Sequence, residues 1–310
     1  MSHILDLFKP MIPSLINSLH KGQAGRVAVM GGSKEYTGAP YFSGISSLRI
    51  GSDICHIFTP TEGGTATALK TLSPELIVHP IEKNDPSEII PWLLSLHVII
   101  IGPGLGRSQG AWNCASEVIK AARNINLPIV LDGDALRLVA ENLEIIKGYD
   151  RAILTPNFVE FKNLSDSVKK MMGDTSNNLL KPEQVASQLG NITIVQKGKE
   201  DLITDGNQVI LCDNEGMPRR CGGQGDILAG AIGTMFAWSQ LYYKYNNNNS
   251  DKIQENEQQY PISMISSFAA CSLLRHSSKK AFEKNRRSTI TQDIINEIPK
   301  CFEELFPESL

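Results

Sequence analysis

The amino-acid sequence predicts an α/β protein, with a central and mostly parallel sheet that helices cover on both faces. Short, continuous apolar runs recur along the chain, and segments with helical spacing lie between them. Such runs are typical of strands that are buried on both faces, as in a parallel sheet. Glycine-rich turns or polar side chains follow the runs, at the carboxyl ends of strands where sheets of this kind bind ligands. The runs occupy residues 26–30, 54–58, 98–101, 129–131, 152–154 and 193–196.

Length and composition limit both the number of domains and the class of ligand. The chain has 310 residues, of which 41% are hydrophobic and 20% are charged, and its formal net charge is −3. A single α/β domain spanning residues 1–310 is expected, because such domains reach this size. The slightly negative charge gives no reason to expect nucleic acid, so a small molecule is the expected ligand.

The cysteine pattern and the apolar runs bear on cellular location. The six cysteines are scattered without C-x-x-C spacing, which predicts neither a zinc site nor a disulfide framework and favours a reducing compartment. No apolar run reaches the roughly 18 residues of a membrane span, and the N-terminal residues lack the zones of a signal peptide. A cytoplasmic protein that does not bind membranes is therefore expected.

The first fifty residues predict a helix, a strand, a loop and a second helix. Residues 1–20 have helical spacing and are expected to pack on the body of the protein, although such a helix can equally serve a homo-oligomer interface. The strand at 26–30 ends in a glycine turn, but no Gly-Lys-Ser/Thr follows, which excludes a Walker A loop. Residues 36–40 are expected to reach over a site before a helix that continues to Ile50. The apolar side chains of the first helix are Leu5, Phe8, Ile12, Leu15, Ile16 and Leu19.

A second glycine turn follows the strand at 98–101, with the sequence GPGLG at residues 102–106. As a dinucleotide-binding fingerprint it is weak, because Pro103 interrupts it and the final glycine is missing at the required spacing. A tight turn that lets the backbone approach a ligand explains it better. A helix over residues 111–124 is expected next.

Polar residues follow the last three apolar runs, and each has a structural alternative. Asp132 and Asp134 follow the fourth run, Asn157 the fifth and Lys197 the sixth, where a parallel sheet binds its ligands. The two aspartates can equally be helix caps, Asn157 can simply begin a helix, and Lys197 can lie in a solvated turn.

The C-terminal half predicts a hairpin, an insertion and two helices. The dipeptide DG at residues 205–206 predicts a two-residue hairpin turn between strands at 201–204 and 209–211. Residues 244–259 are rich in asparagine and too poor in apolar side chains to pack, so a mobile, disordered-looking insertion is expected there. Covering helices are expected over residues 262–282 and 291–305.

The segment RRCGGQGD at residues 219–226 carries the strongest functional signal. Its glycines let the backbone turn sharply, and apolar residues at helical spacing follow from Ile227. The first N–H groups of a helix have no internal partner and lie at the positive end of its dipole, so the turn predicts a phosphate site. Asp226 would repel a phosphate unless it faces a hydroxyl, whose proton it can take during phosphoryl transfer. An ordinary N-cap is the alternative.

The order of these motifs resembles the ribokinase-like superfamily of small-molecule kinases, and most closely its ATP-dependent (S)-NAD(P)H-hydrate dehydratases. The resemblance covers residues 20–285 and implies a ribokinase-like, three-layer α/β/α fold. One departure is Gly133, where the family pattern has alanine between an acidic residue and Asp134. The motifs are KGQAGR at 21–26, GGS at 31–33, YTGAP at 36–40, GPGLGR at 102–107, TPN at 155–157, EF at 160–161 and RRCGGQGD at 219–226.

The family chemistry that this resemblance implies is repair of a damaged cofactor. ATP phosphorylates the ring hydroxyl of the S form of hydrated NADH or NADPH, and phosphate then leaves to restore the ring double bond. Asp226 would take the hydroxyl proton, while the amides of Gly222, Gly223 and Gly225 would hold the transferring phosphate. A separate epimerase that interconverts the hydrate isomers would be a functional partner.

The resemblance also implies binding residues. Glu160 would organise Mg²⁺ as the cofactor, directly or through water, because bridging two ATP phosphates usually needs a nearby carboxylate. The phosphoryl donor ATP would contact Lys197, Gly198, Lys199, Glu200, Asp201, Pro218, Arg219, Arg220, Cys221, Gly222, Gly223, Gln224 and Gly225. The hydrated dinucleotide would contact Gly104, Asn157, Phe158, Val159, Glu160, Phe161, Lys162 and Asp226.

Two other functions are compatible with parts of this pattern. A kinase of the same fold that acts on a vitamin precursor or sugar alcohol would use the same first transfer, but the segments at 36–40 and 102–107 favour the dehydratase. A nucleotide-binding protein without catalysis would not need a base at Asp226.

Overall fold

Nine strands form one sheet within the residues that the computed structural model describes, which are 2–16, 20–248 and 259–307. The strands are β1 (Arg26–Met30), β2 (Ile54–Pro60), β3 (Ile77–Ile81), β4 (Val98–Ile101), β5 (Ile129–Leu131), β6 (Ala152–Leu154), β7 (Thr193–Gln196), β8 (Asp201–Thr204) and β9 (Val209–Cys212). Their order across the sheet is β3-β2-β1-β4-β5-β6-β7-β8-β9. Strands β1 to β7 run parallel, whereas β8 pairs antiparallel with both β7 and β9.

Helices cover both faces of the sheet. They are α1 (Ser2–Phe8), α2 (Gly38–Ile50), α3 (Thr65–Leu72), α4 (Gln109–Asn124), α5 (Asp134–Glu141), α6 (Phe158–Met172), α7 (Pro182–Gln188), α8 (Gln224–Asn248), α9 (Ile262–Asn285) and α10 (Thr291–Leu305). One hydrophobic core joins the sheet to α1, α2, α3, α8, α9 and α10, and a second joins its other face to α4, α5, α6 and α7. The three-layer α/β/α prediction is therefore confirmed.

The apolar runs of the sequence correspond to strands that are buried on both faces. Along β1, Val27 and Val29 belong to one core, while Ala28 and Met30 belong to the other. Successive side chains of a strand point to opposite faces, so burial on both sides requires apolar residues at every position.

Four central strands end at the same level, and the strands on either side of them are longer. β2 continues two residues past this level to Pro60, and β7 continues two residues past it to Gln196. At about 3.3 Å per residue, the carboxyl edge of the sheet has a notch roughly 7 Å deep above β1, β4, β5 and β6. The residues at the common level are Met30, Ile101, Leu131 and Leu154, which pair in register across the sheet.

Strand β3 is absent from the sequence-based prediction, which placed its third strand at 98–101. β3 lies at the edge of the sheet. Proline is tolerated there at Pro80, because an edge strand does not need every N–H for pairing with a second neighbour. Ile77 is 41% exposed, so this strand is not a continuous buried run. The criterion of an unbroken apolar run fails at such an edge.

The N-terminal helix is shorter than the predicted helix over residues 1–20. α1 ends at Phe8, a 3₁₀ turn follows over Lys9–Met11, and the next residues are irregular. Phe8 is buried against Phe306, with ring centroids 5.5 Å apart, whereas Leu15 and Ile16 are 71% and 57% exposed. The expected core contacts of Leu15 and Ile16 are therefore wrong, and Leu19 lies outside the described residues.

The hairpin of β8 and β9 is present, but its loop has four residues rather than the predicted two. Thr204 pairs with Val209, which places residues 205–208 in the loop. The Asp205 carboxylate accepts hydrogen bonds from the N–H groups of Asn207 and Gln208, at 2.9 and 2.8 Å. Local capping by an aspartate therefore stabilises a longer turn.

The asparagine-rich insertion is only partly within the described residues. α8 continues to Asn248, so the prediction of an unstructured segment is wrong for residues 244–248, while 249–258 lie outside the described residues. The later helices agree with the prediction, since α9 and α10 cover 262–285 and 291–305. Among the described residues, no helix combines the length and apolar character that a membrane span requires.

Candidate active site

Polar side chains from three adjacent strands meet at the floor of the notch. Asp132 follows β5, Thr155 follows β6 and Lys197 follows β7. The Asp132 carboxylate accepts hydrogen bonds from the Thr155 hydroxyl at 2.6 Å and from the Lys197 ammonium at 2.7 Å. The backbone N–H of Lys197 in turn donates to the Pro156 carbonyl at 2.9 Å. The polar residues that end these strands therefore form one connected group.

The first turns of α6 and α8 bring two further carboxylates to this group. Glu160 lies 3.9 Å from the Lys197 ammonium, and Asp226 lies in the first turn of α8. A Cβ atom on Gly225 would lie 3.1 Å from the Lys197 nitrogen, so the absence of a side chain there admits the ammonium. We call Asp132, Glu160, Lys197 and Asp226 the carboxylate cluster; it holds three carboxylates and one ammonium.

The surroundings of Asp226 bring the pKa of its carboxyl group close to neutral pH. Burial raises the pKa of Asp226 to about 7, the negative charges of Asp132 and Glu160 add to the increase, and the Lys197 ammonium opposes it. An acid–base group is most effective when its pKa lies near the working pH. Asp226 can therefore exchange a proton at neutral pH, as the sequence-based hypothesis of a base requires.

The other two titrating members of the cluster shift in the directions that their neighbours dictate. Burial raises the pKa of Glu160, and the negative charge of Asp132 adds to the increase against the opposing Lys197 ammonium. Burial alone would lower the pKa of Lys197, but Asp132 and Glu160 outweigh it, so the pKa is raised and the ammonium stays charged.

The glycine loop, residues 219–225, includes the first two residues of α8. Gly223 has a φ of 95°, a conformation that favours glycine, and the Ile227 N–H donates the first helical bond to its carbonyl at 3.0 Å. The amides just before Ile227 therefore lie at the open N-terminus of a 25-residue helix, where anions bind. Gly222 has no atom within 4 Å of the position of a Cβ and borders open space.

The other predicted ATP-binding residues of the glycine loop differ in their surroundings. Arg219 donates through Nε to the Thr289 carbonyl at 2.8 Å, and Gln224 donates to the Cys221 carbonyl at 3.3 Å. Arg220 and Pro218 are exposed. Arg219 and Gln224 thus hold the loop in shape, whereas Arg220 is available to a ligand.

The predicted ATP-binding segment Lys197 to Asp201 is fixed by a residue of α9. The Asp201 carboxylate accepts the Gly198 N–H at 3.0 Å and Arg275 Nε at 2.7 Å. Arg275 also donates to the Lys199 carbonyl at 2.8 Å. The carboxylate of Asp201 is therefore engaged within the protein, while Lys199 and Glu200 are exposed.

The predicted substrate-binding residues at the start of α6 serve several roles. Asn157 accepts the N–H groups of Val159 and Glu160 at 2.9 and 3.0 Å, and Glu160 accepts the N–H of Asn157 at 2.8 Å. This reciprocal pair of hydrogen bonds is a capping box, so Asn157 begins helix α6, as the alternative interpretation of the sequence predicted. Phe158 and Val159 are 62% and 66% exposed, but Phe161 is 1% exposed and packs in the core.

The remaining predicted substrate residues differ in their surroundings. The side chain of Phe161 cannot contact a ligand from the core, which corrects that prediction, and Lys162 pairs with Asp166 at 3.3 Å along the exposed side of α6. Gly104 packs so closely on Tyr36 that a Cβ on Gly104 would lie 2.8 Å from the Tyr36 Cβ. This close packing brings the turn after β4 and the loop after β1 together. The predicted loop over residues 36–40 is shorter than expected, because α2 already begins at Gly38.

Comparison with known proteins identifies the family. The sequence profile described as NAD(P)H-hydrate dehydratase matches residues 27–300. The chain belongs to this family. Over 309 residues, it is also 80% identical to a Dictyostelium discoideum protein named ATP-dependent (S)-NAD(P)H-hydrate dehydratase, covering 100% of this chain and 99% of the relative.

Solved structures support the fold of this NAD(P)H-hydrate dehydratase family member. A ribokinase-like superfamily protein from Enterococcus faecalis aligns with a TM-score of 0.74 at 20% identity, over 98% of this chain and 95% of that chain. An ADP/ATP-dependent NAD(P)H-hydrate dehydratase from Bacillus subtilis, co-crystallized with ATP/Mg²⁺, aligns with a TM-score of 0.68 at 18% identity, over 97% of each chain. The ribokinase-like fold prediction is confirmed.

Sequence reasoning missed several residues that build this family member's site. Asp132 was expected at the ligand-binding end of its strand, with a helix cap as the alternative, but it was given no chemical role. Thr155 was part of a motif without a role. Arg275 and Thr289 carry no local signal, because their partners lie far away in the sequence.

Proposed function

We propose that this protein uses ATP to dehydrate the S form of hydrated NADH and NADPH, restoring the reduced nicotinamide cofactors. The observation that carries the proposal is the partly buried Asp226, whose pKa is raised to about 7, beside a glycine loop at the start of α8. The family membership and the 80% identical relative support the same reaction.

In the first step, the Asp226 carboxylate accepts the proton of the ring hydroxyl as its oxygen attacks the γ-phosphorus of ATP. The oxygen–phosphorus bond to ADP breaks, and the new phosphate ester forms on the ring. The amides of Gly222, Gly223 and Gly225 lie where they can donate to the transferring phosphoryl group. Lys197, held by Asp132 below Gly225, adds positive charge at the same place.

In the second step, the phosphate leaves the ring. The carbon–oxygen bond breaks, a proton leaves the neighbouring ring carbon, and the double bond returns. The same amides that held the transferring group can stabilise the departing phosphate, because its negative charge develops at that position.

The surroundings suggest how the two ligands divide the site. We assign ATP to the side formed by the glycine loop and the exposed residues Lys199 and Glu200, where the helix N-terminus favours phosphate. We assign the hydrated dinucleotide to the side formed by Gly104, Phe158 and Val159, where exposed apolar side chains can contact a flat ring.

The donor set of the cluster fits Mg²⁺. This ion prefers carboxylate oxygens, and Asp132, Glu160 and Asp226 place three carboxylates together. Glu160 uses one oxygen, Oε2, to cap Asn157, which leaves Oε1 to hold the ion directly or through water. An Mg²⁺ ion held there would supply positive charge that neutralises the phosphates of ATP. Glu160 is the residue that we assign to this role.

Further proposals follow from the chain as a whole. One domain is supported by the single nine-stranded sheet. A cytoplasmic location is supported by the six cysteines, all of which are free. Because the proposed reaction consumes only the S form, a separate epimerase would supply it from the other isomer.

The proposal is tested by mixing the protein with hydrated NADH, ATP and Mg²⁺. We expect the absorbance of reduced nicotinamide to recover, with one ADP formed for each NADH. Omission of ATP is the control for spontaneous recovery. ADP formation with a stable phosphorylated product would instead indicate a kinase, and the absence of both products would refute the proposal.

A further inference from the structure

The connection between α9 and α10 contacts the glycine loop at two points. The Thr291 hydroxyl, at the first residue of α10, donates a hydrogen bond to the Gly222 carbonyl. Arg219 Nε donates to the Thr289 carbonyl at 2.8 Å, and the Thr289 hydroxyl donates to the Arg286 carbonyl at 2.7 Å. The loop is therefore fixed to the connection both at its beginning and at its centre.

The side chain of Thr291 also limits the space around Gly223. A Cβ on Gly223 would lie 2.7 Å from the Thr291 methyl carbon and 2.9 Å from an edge carbon of Phe42. Thr291 is 5% exposed, so it is packed in place rather than free to rotate. Gly223 thus lies between a helix α10 side chain and a helix α2 side chain.

Because a peptide bond is planar, the hydrogen bond from Thr291 to the Gly222 carbonyl also determines the orientation of the Gly223 N–H. The peptide bonds of the described residues are all trans, and in a planar trans peptide the C=O and the following N–H point in opposite directions. A hydrogen bond to the Gly222 carbonyl therefore fixes the direction of the Gly223 N–H on the opposite side. Because glycines on both sides of a peptide bond restrain it little, a hydrogen bond from the hydroxyl opposes rotation of this peptide.

We infer that Thr291 is a positioning residue for phosphoryl transfer: through the Gly222 carbonyl, it aims the Gly223 N–H at the transferring phosphoryl group. This inference rests on the proposed function of the glycine loop. It gives the C-terminal helix α10, which contributes no residue to the carboxylate cluster, a defined role in the reaction.

Two substitutions separate this role from simple packing. Thr291→Val keeps the shape and the methyl contact with Gly223 but removes the hydroxyl, whereas Thr291→Ser keeps the hydroxyl. Thr234→Val is the matched control, because the Thr234 hydroxyl also donates to a carbonyl, that of Gly230 at 3.0 Å, but within the buried part of α8.

Kinetics provide the first measurement. A donor that acts mainly on the transition state lowers kcat when it is misdirected, with little change in ground-state binding. For Thr291→Val we expect kcat to fall by about 10- to 100-fold and KM for ATP to change by less than about threefold. Thr291→Ser should recover most of the rate. Equal losses in Thr291→Val and Thr234→Val, or no recovery in Thr291→Ser, would overturn the inference.

A spectroscopic measurement keeps the inference testable even without turnover. Glycine labelled with ¹³C at the carbonyl and with ¹⁵N selects Gly–Gly peptide bonds, and the sequence has three, at 31–32, 63–64 and 222–223. Addition of ADP, Mg²⁺ and aluminium fluoride, a mimic of the transferring phosphoryl group, should shift the Gly223 amide signal in the wild type and in Thr234→Val. In Thr291→Val, the signal should be split or broadened and respond weakly.

The two measurements distinguish the possible failures. A Gly223 response that requires the Thr291 hydroxyl, in a protein that does not restore NADH, would support the positioning role and refute the proposed reaction. Restoration of NADH together with an identical Gly223 response in Thr291→Val would support the reaction and refute the positioning role.

Discussion

Two groups of partly buried charges lie at the edge of the sheet where the parallel strands end, and they differ in charge balance. In the pair of Asp201 and Arg275, one carboxylate meets one guanidinium at 2.7 Å, and the guanidinium also donates to backbone carbonyls. In the carboxylate cluster, three carboxylates share the single ammonium of Lys197. In the balanced pair the two opposite charges compensate each other, whereas in the unbalanced cluster burial and the excess of negative charge raise the pKa of Asp226 to about 7. Charge balance thus separates a residue pair that maintains a loop from a cluster that can move a proton.

Asp226→Asn should have the largest effect on activity if the carboxylate cluster moves a proton. The amide cannot accept the hydroxyl proton, so kcat should fall on the order of 10³-fold, while the free energy of unfolding at pH 7 should not decrease. Coupled assays of NADH recovery and urea unfolding measure the two quantities. Full turnover by Asp226→Asn would contradict the role of Asp226 as a base.

Arg275→Met should produce the opposite pattern. It leaves the Asp201 carboxylate buried without its partner, which costs about 3–5 kcal/mol of stability. Activity at a temperature where the variant is folded should fall much less than in Asp226→Asn, because the hydrogen bonds of Arg275 go to Asp201 and to backbone carbonyls, not to a member of the carboxylate cluster. Urea unfolding checks the first expectation. A loss of stability no larger than that of a surface variant such as Lys120→Met would show that the pair is not important for stability.

The pH dependence sharpens the difference further. Below a pKa of about 7 the Asp226 base is protonated, so kcat/KM should fall about tenfold per pH unit. Stability should change in the reverse direction: the pKa of Asp226 rises from its ordinary 3.8 on folding, so the folded state retains a proton that the unfolded state has lost. The Asp226 contribution to the free energy of unfolding should therefore decline as pH rises from about 4 to about 7.

Urea unfolding of the wild type and Asp226→Asn across this pH range isolates that contribution, because the asparagine does not titrate. The stability of the wild type relative to the variant should decrease with rising pH. A difference that stays constant would mean that the pKa of Asp226 is not raised in the folded protein.

Gly225→Ala should have the smallest effect. The added methyl would lie 3.1 Å from the Lys197 nitrogen and 3.8 Å from an Asp132 oxygen, so the flexible lysine end must shift by a few tenths of an ångström. We expect kcat to fall by about tenfold, since Lys197 remains present but displaced. Gly216→Ala is the control, because Gly216 has no part in the proposed ligand sites and the nearest atom to its Cβ position lies at an ordinary contact distance of 3.7 Å. Equal effects of the two substitutions would argue against a role for the Lys197 position.

Much of the fold was predictable because its physical cause is local. A run such as Val98–Ile101, buried on both faces, must be apolar at each position, and the sequence shows it. Strand β3 was not predictable in this way, because Pro80 and the exposed Ile77 interrupt its buried run. Both residues are tolerated because β3 lies at the edge of the sheet, and its position there depends on the order of all the strands. The length of the β8–β9 turn likewise depended on the capping by Asp205.

The site was predictable to the extent that its residues lie next to structural signals. The glycine loop and Asp226 are adjacent in sequence, so their chemistry could be proposed together. The raised pKa of Asp226 could not be predicted, because Asp132 and Glu160 are distant in sequence and come close to Asp226 only when the strands assemble into the sheet. Arg275 lies in the middle of a 24-residue helix, 74 residues from its aspartate, and nothing in its neighbours indicates the pair.

The level ends of β1, β4, β5 and β6 also have an evolutionary consequence. Each of these strands delivers its own loop to the same floor, and the register of the sheet does not depend on what the loop contains. Substitutions in these loops can therefore accumulate while the strand pairing is inherited unchanged. Because the loops after β1 and β4 pack closely on each other, a lineage that keeps this floor would change its substrate by altering neighbouring loops together.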